Sequence, residues 1–127
     1  DLNGLKEVND RLGHDAGDSL LRRLGEVLNG AASGRNTAAR IGGDEFAVLM
    51  PGCDRLAAQA LSDTIGELLR INNQFYSNLP LSISHGIATS EPREKLETVV
   101  RRADKAMYEH KRQHYENWVN DRRARPA

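Results

Sequence analysis

Apolar and polar positions follow two different periods along this chain, and the switches between them lay out its elements. Leu5, Val8 and Leu12 recur at i, i+3 and i+7, the spacing of a short amphipathic helix that Gly13 stops. Gly13-His14-Asp15-Ala16-Gly17-Asp18 reads as a polar turn feeding a second helix, whose stripe is Leu20, Leu21, Leu24, Val27 and Leu28. A loop rich in Gly, Ser and Asn covers 30–36. Residues 37–41 and 46–50 then form two short strands around Gly42-Gly43, closed by Pro51-Gly52. A third helix carries Leu56, Ala60, Leu61, Ile65, Leu68 and Leu69 on one face. Leu81, Ile83, His85 and Ile87 alternate with Ser82, Ser84, Gly86 and Ala88, the period of a half-buried strand in which His85 is a partly buried, hydrogen-bonded residue. The last helix is expected from about 96 to about 111, on Leu96, Val99, Val100, Ala103, Ala106 and Met107, with a charged tail over 120–127. Phe46, Met107 and Tyr108 are core candidates.

The order helix, hairpin, helix, strand, helix lacks only a leading strand to be β-α-β-β-α-β, so the expected fold class is α/β (α+β) and ferredoxin-like, a mostly antiparallel central sheet with helices packed around it. In that topology a strand ending at Asp1 lies beside the second hairpin strand and its end meets the hairpin tip. Asp1 and Asp44, distant in sequence, would then converge. Glycines at the tip supply the positive φ of a tight turn and admit a ligand close to the backbone. Asp44 and Glu45 stand at the mouth of that turn, where two carboxylates suit a hard cation such as Mg²⁺ together with substrate phosphates. A solvated hairpin tip with incidental charge is the competing reading.

Bulk properties narrow the classes. With 127 residues the chain is expected to form one domain, 1–119, followed by the tail. Lys+Arg 18 against Asp+Glu 18 leaves no global basic field, and 5% aromatic content offers few stacking platforms, so nucleic acid is not an expected partner. The lone Cys53 excludes an internal disulfide and any multi-cysteine zinc site. No apolar run reaches membrane-spanning length. The expected setting is the cytoplasm, as a free protein or as the cytoplasmic part of a membrane-bound sensor.

Gly42-Gly43-Asp44-Glu45-Phe46 resembles the signature of the GGDEF family, the bacterial diguanylate cyclases. Further segments match the family in the same order. Asp1-Leu2-Asn3-Gly4-Leu5-Lys6-Glu7-Val8-Asn9-Asp10 is similar to its opening D-[hydrophobic]-D-x-F-K-x-x-N-D, and Gly13-His14-Asp15-Ala16-Gly17-Asp18-Ser19-Leu20-Leu21 to its G-H-x-x-G-D-x-x-L. Ser84-His85-Gly86-Ile87-Ala88 and the run from Ala103 to Lys111 resemble S-x-G-I-A and A-D-x-A-M-Y-x-A-K. The resemblance implies a nucleotidyl-cyclase palm and the condensation of two GTP into cyclic di-GMP and two pyrophosphates. It implies Asp1, Asp44 and the Leu2 carbonyl as holders of two Mg²⁺, with Mn²⁺ as an alternative, and Glu45 close to the reacting ribose hydroxyl. Asn9 and Asp18 would read guanine, Lys6 and Lys111 would meet phosphates, and Gly42 and Gly43 would line the nucleotide. Each domain of the family holds one GTP, so turnover implies a second protomer, and an upstream sensor or receiver domain is the expected neighbour.

Several positions depart from the family pattern. The family places a helix and a strand before the position of Asp1, which implies a longer protein. Ser33 and Asn36 stand where the family's product-inhibition motif carries its Arg–Asp pair, so feedback there is not expected. Tyr115, or Glu116 with one residue inserted, replaces a phosphate-binding arginine, and Asn3 replaces the second aspartate of the opening motif. The lost arginine motivates a second reading, a catalytically silent domain that binds GTP and regulates a linked domain.

Overall fold

A computed structural model describes the backbone of residues 1–124 and the side chains of residues 1–120. The chain divides into two compact units, Asp1–Ile83 and the part from Ser84 onward.

The first unit holds α1 (Leu5–Leu12), α2 (His14–Ala31), β1 (Thr37–Arg40), β2 (Phe46–Leu49) and α3 (Arg55–Phe75). Gly13, at φ 91°, is the whole break between α1 and α2. The expected polar turn over 13–18 is therefore helix from His14 on. Polar residues suffice there because only Gly17 of that first stretch is buried. Asp18 accordingly lies inside α2 and does not cap it. The strands pair antiparallel, with Ala38 opposite Val48 and Arg40 opposite Phe46. Asp54 caps α3 by accepting from the Ala57 amide at 2.8 Å, a contact that favours helix initiation at this point. Leu2, Leu20, Leu24, Leu28 and Leu81 form the core, each at most 6% exposed, with Leu5, Val8, Phe46, Val48, Ile65 and Leu69 packed against it. At about 1.5–3 kcal/mol per buried leucine, these contacts dominate the unit's stability. Leu12 and Leu56, at the ends of their expected stripes, are 60% and 80% exposed instead.

The expected strand over 81–88 is reduced to one antiparallel bridge, Ile83 to Leu2. A strand needs a continuous partner, and the backbone pairing here is confined to Leu2 and Asn3.

The second unit consists of an extended segment and α4 (Leu96–Ala124). A Cβ on Gly86 would strike the Ala103 carbonyl and the Met107 amide, so the segment lies directly on the helix through its small residues. That contact reverses the expected alternation. Ser84 is buried, while His85 and Ile87 are exposed. The His85 amide donates to His110 Nδ1 at 3.0 Å. Partial desolvation of the ring and the neighbouring imidazole of His110 push His85 below the usual histidine range. Arg102 grips Glu94 and the Thr89 carbonyl at the start of the helix. Met107 is buried as expected, but Tyr108 is 56% exposed and no core residue. The helix does not stop near 111. Lys, Arg, Gln and Glu are good helix formers, and no breaker intervenes before Pro126. The expected tail over 120–127 thus begins on α4, and 125–127 lie outside the described residues.

Candidate active site

The hairpin tip is a five-residue connection, 41–45, in which the Glu45 carbonyl accepts from Ile41 at 2.9 Å and from Gly42 at 3.3 Å. Neither Gly42 nor Gly43 has a positive φ, so the expected reason for the glycine pair does not hold. Nothing among the described residues forbids a side chain at either position. A Cβ on Gly43 would meet nothing within 4 Å, and one on Gly42 would meet the Glu45 side chain at 3.5 Å. The backbone at the tip is left uncovered.

Arg40 was missed as a contributor to this geometry. Its Nε donates to the carbonyls of Gly42 (3.1 Å) and Gly43 (3.2 Å), and its terminal nitrogen to Gly43 (2.7 Å). The side chain thus folds onto the tip and ties down its carbonyls. An arginine immediately before a Gly-Gly tip was the available signal.

The Leu2 amide donates to the Asp44 carbonyl at 2.9 Å. This bond brings Asp1 and Leu2 beside the tip, the juxtaposition expected from topology. Asp1 Oδ1 is buried, whereas Asp44 and Glu45 are half-buried. If the Asp1 and Asp44 carboxylates and the Leu2 carbonyl were to hold a cation, their all-oxygen set would fit a hard divalent ion and not a soft one. Among the described residues no group of three or more His, Cys, Asp or Glu gathers closely enough to hold a metal ion, at the tip or elsewhere.

A second cluster forms where α1 packs on α2. A Cβ on Gly17 would collide with the amide of Asn9, lying 2.8 Å from its Cγ, and would press on Leu5 Cδ1 at 3.1 Å. Gly17 is therefore the cradle for the Asn9 side chain. Asn9 Oδ1 is buried there with no hydrogen-bond partner among the described residues, a cost that a ligand donor would relieve. Asp18, the next residue on α2, is exposed, as is Lys6 on α1. Lys111 belongs to the second unit, half-buried on α4.

The first unit is thus an α+β unit with an acidic hairpin tip, a chain segment bringing Asp1 beside that tip, and an amide cradled by glycine. The chain belongs to the GGDEF, diguanylate cyclase, family, whose sequence profile matches residues 1–117. It is similar to diguanylate cyclase A of Treponema denticola (32% identity over 114 residues, 87% of this chain and 31% of that protein). It is also similar to diguanylate cyclase DgcP of Pseudomonas aeruginosa (35% identity, 88% of this chain and 17% of that protein). The chain thus spans at most about a third of these relatives' length. Among solved structures it resembles the GGDEF domain of DgcB from Caulobacter crescentus, in complex with cyclic di-GMP. The TM-score is 0.76 at 30% identity, over 89% of this chain and 69% of that one. The active GGEEF domain of a Vibrio cholerae diguanylate cyclase matches with a TM-score of 0.78 at 26% identity, over 89% of this chain and 73% of that one. Among the described residues no helix is long and apolar enough to cross a membrane.

Proposed function

We propose that this domain is the catalytic module of a diguanylate cyclase, condensing two GTP into cyclic di-GMP with release of two pyrophosphates. The observation that carries the reading is the Leu2 amide to Asp44 carbonyl bond, which sets Asp1 and the Leu2 carbonyl beside the acidic tip. Asp1, Asp44 and the Leu2 carbonyl hold Mg²⁺ or Mn²⁺, two ions per site. When bound, the metal lowers the pKa of the attacking 3′-hydroxyl and neutralises the departing pyrophosphate.

The chain's own residues do the rest. Gly42 and Gly43 let the triphosphate approach the backbone, and Arg40 keeps their carbonyls turned away from it. Asn9 offers guanine both an acceptor and donors, and Asp18 accepts from its N1–H and amino group. Lys6 and Lys111 meet phosphate charge. Glu45 lies where the 3′-hydroxyl gives up its proton. Each 3′-oxygen attacks the α-phosphorus of the GTP on a facing protomer, so two copies related by a two-fold axis are required. The module belongs to the cytoplasm, under an upstream sensor or receiver domain.

The second reading, a silent GTP-binding regulator, is favoured by one feature. At the position of the family's phosphate-binding arginine stands Tyr115, whose ring pairs with Trp118 at 6.0 Å, or Glu116 with one residue inserted. Asp44→Ala separates the readings. For a cyclase it abolishes product while the folded domain persists, since the backbone carbonyl that holds Leu2 remains. Full activity in Asp44→Ala would overturn the metal assignment, and GTP binding without product in the wild type would favour the regulator.

A further inference from the structure

Arg23 is 4% exposed on α2, and the acceptors it reaches are neutral. Its Nε donates to Asn72 Oδ1 at 2.8 Å, one terminal nitrogen to the Leu79 carbonyl at 2.6 Å, and the other to Asn73 Oδ1 at 3.4 Å. The guanidinium also lies 4.3 Å from the centre of the Tyr76 ring. Burying a cation without a carboxylate is costly even when its donors are satisfied. An apolar residue here would extend the stripe of Leu20, Leu24 and Val27 at no such cost. The arginine's contacts point to what it does instead.

All of them fall at the end of α3 and on the segment after it. Asn73 brackets the same segment, accepting from the Leu81 amide at 2.7 Å and donating to the Leu81 carbonyl at 2.9 Å. The far side of that segment holds the start of the chain. The Asn3 amide donates to the Ser82 carbonyl at 2.8 Å, Asn3 Nδ2 to Ser82 Oγ at 3.1 Å, and Leu2 bridges Ile83. Leu2 is in turn bonded to Asp44 at the hairpin tip. Residues 2–3 are thus gripped between the strap 79–83 and the tip, and the strap is set by Arg23 and Asn73.

We infer that Arg23, Asn73 and Ser82 are positioning residues for the metal site, orienting Asp1 and the Leu2 carbonyl through the 79–83 strap without touching the metal. The inference rests on the metal assignment proposed above. Partners of this kind, one shell behind the ligands, typically change metal affinity by about 10- to 100-fold. The geometry also accounts for Asn3. Its side-chain amide supplies a donor that Ser82 Oγ accepts, a bond an ionised aspartate could not donate.

The test is Mn²⁺ titration followed by electron paramagnetic resonance, with α,β-methylene GTP present so that no turnover occurs. Ser82→Ala removes one acceptor and Asn73→Ala both Leu81 bonds; each is expected to weaken Mn²⁺ binding about tenfold or more. Ser82→Thr, which keeps the hydroxyl, restores it. Asp54→Ala, which uncaps α3 away from the strap, lowers the melting temperature and leaves Mn²⁺ affinity unchanged. If Asn73→Ala does not fold, Ser82→Ala and Asn73→Asp, which keeps the acceptor, carry the test. Wild-type Mn²⁺ affinity in Ser82→Ala and in the folded Asn73 variant overturns the positioning role alone. A wild-type protein that takes up no Mn²⁺ overturns the metal assignment and the positioning role together.

Discussion

Replacing Gly17 by alanine isolates nucleotide recognition from folding. Gly17 is buried inside α2 and has an ordinary helical φ, so alanine meets no backbone penalty and gains about 1 kcal/mol of helix propensity. Against that gain stands the methyl's collision with the Asn9 amide and its pressure on Leu5 Cδ1 at 3.1 Å. Overpacking of this kind costs about 1–3 kcal/mol. Both obstacles are ends of flexible side chains, so the net change in stability is expected within about 2 kcal/mol. The Asn9 side chain, however, must leave its cradle. Losing its bonds to guanine costs about 1–3 kcal/mol, roughly five- to 150-fold in affinity. The assay is calorimetric binding of GTP and of ITP, which lacks the 2-amino group, in parallel with thermal melting. Gly17→Ala should melt within about 10 °C of wild type, bind GTP at least five-fold more weakly and discriminate less against ITP. A natively folded Gly17→Ala protein with wild-type GTP affinity and preference would refute the assignment of Asn9 to guanine.

Three further outcomes follow from the geometry. Arg40→Met removes the bonds to the Gly42 and Gly43 carbonyls from an exposed position, so stability should move by less than about 0.5 kcal/mol while kcat falls about tenfold or more; an unchanged kcat would mean the tip holds its shape without Arg40. The Arg102 hydrogen bonds, then the Glu91 amide, hold the Glu94 carboxyl below its ordinary value of 4.5. A depressed carboxyl stabilises the fold above its unfolded pKa and loses that stabilisation as pH falls through the lower folded value. Melting temperature between pH 6 and pH 3 should therefore drop less in Arg102→Ala than in wild type, and equal drops would contradict the pair's role. Cyclic di-GMP added well below the GTP concentration should leave the initial rate unchanged, whereas Ser33→Arg with Asn36→Asp should create measurable product binding at the loop before β1; feedback in the wild type would contradict the reading of Ser33 and Asn36.

What the sequence made legible was governed by local periodicity. Leu5, Val8 and the stripe of α2 announced their helices, and topology alone brought Asp1 to Asp44. The misreadings came where tertiary contact decides. The residues from His14 to Asp18 look like a turn because they are polar and contain glycine, yet Gly17 is there for a close approach of Asn9 and not for a bend. The alternation of 81–88 suggested one buried face, but Gly86 presses its small-residue side onto α4 and turns His85 and Ile87 outward. Arg23, between Leu20 and Leu24, carries no sequence signal of its burial, which depends on Asn72, Asn73 and Leu79 closing over it. Of the two properties read from the glycine pair, φ freedom goes unused, while the lack of side chains leaves the backbone at the tip uncovered.

The central claim is that two copies of this module join two GTP. The most direct measurement is of pyrophosphate and nucleotide product from GTP and Mg²⁺, as a function of protein concentration. The account predicts cyclic di-GMP with two pyrophosphates per product, at a specific activity that vanishes on dilution and rises as the protein dimerises. GTP bound without pyrophosphate at concentrations where the protein is dimeric, or turnover whose specific activity is indifferent to dilution, would contradict it.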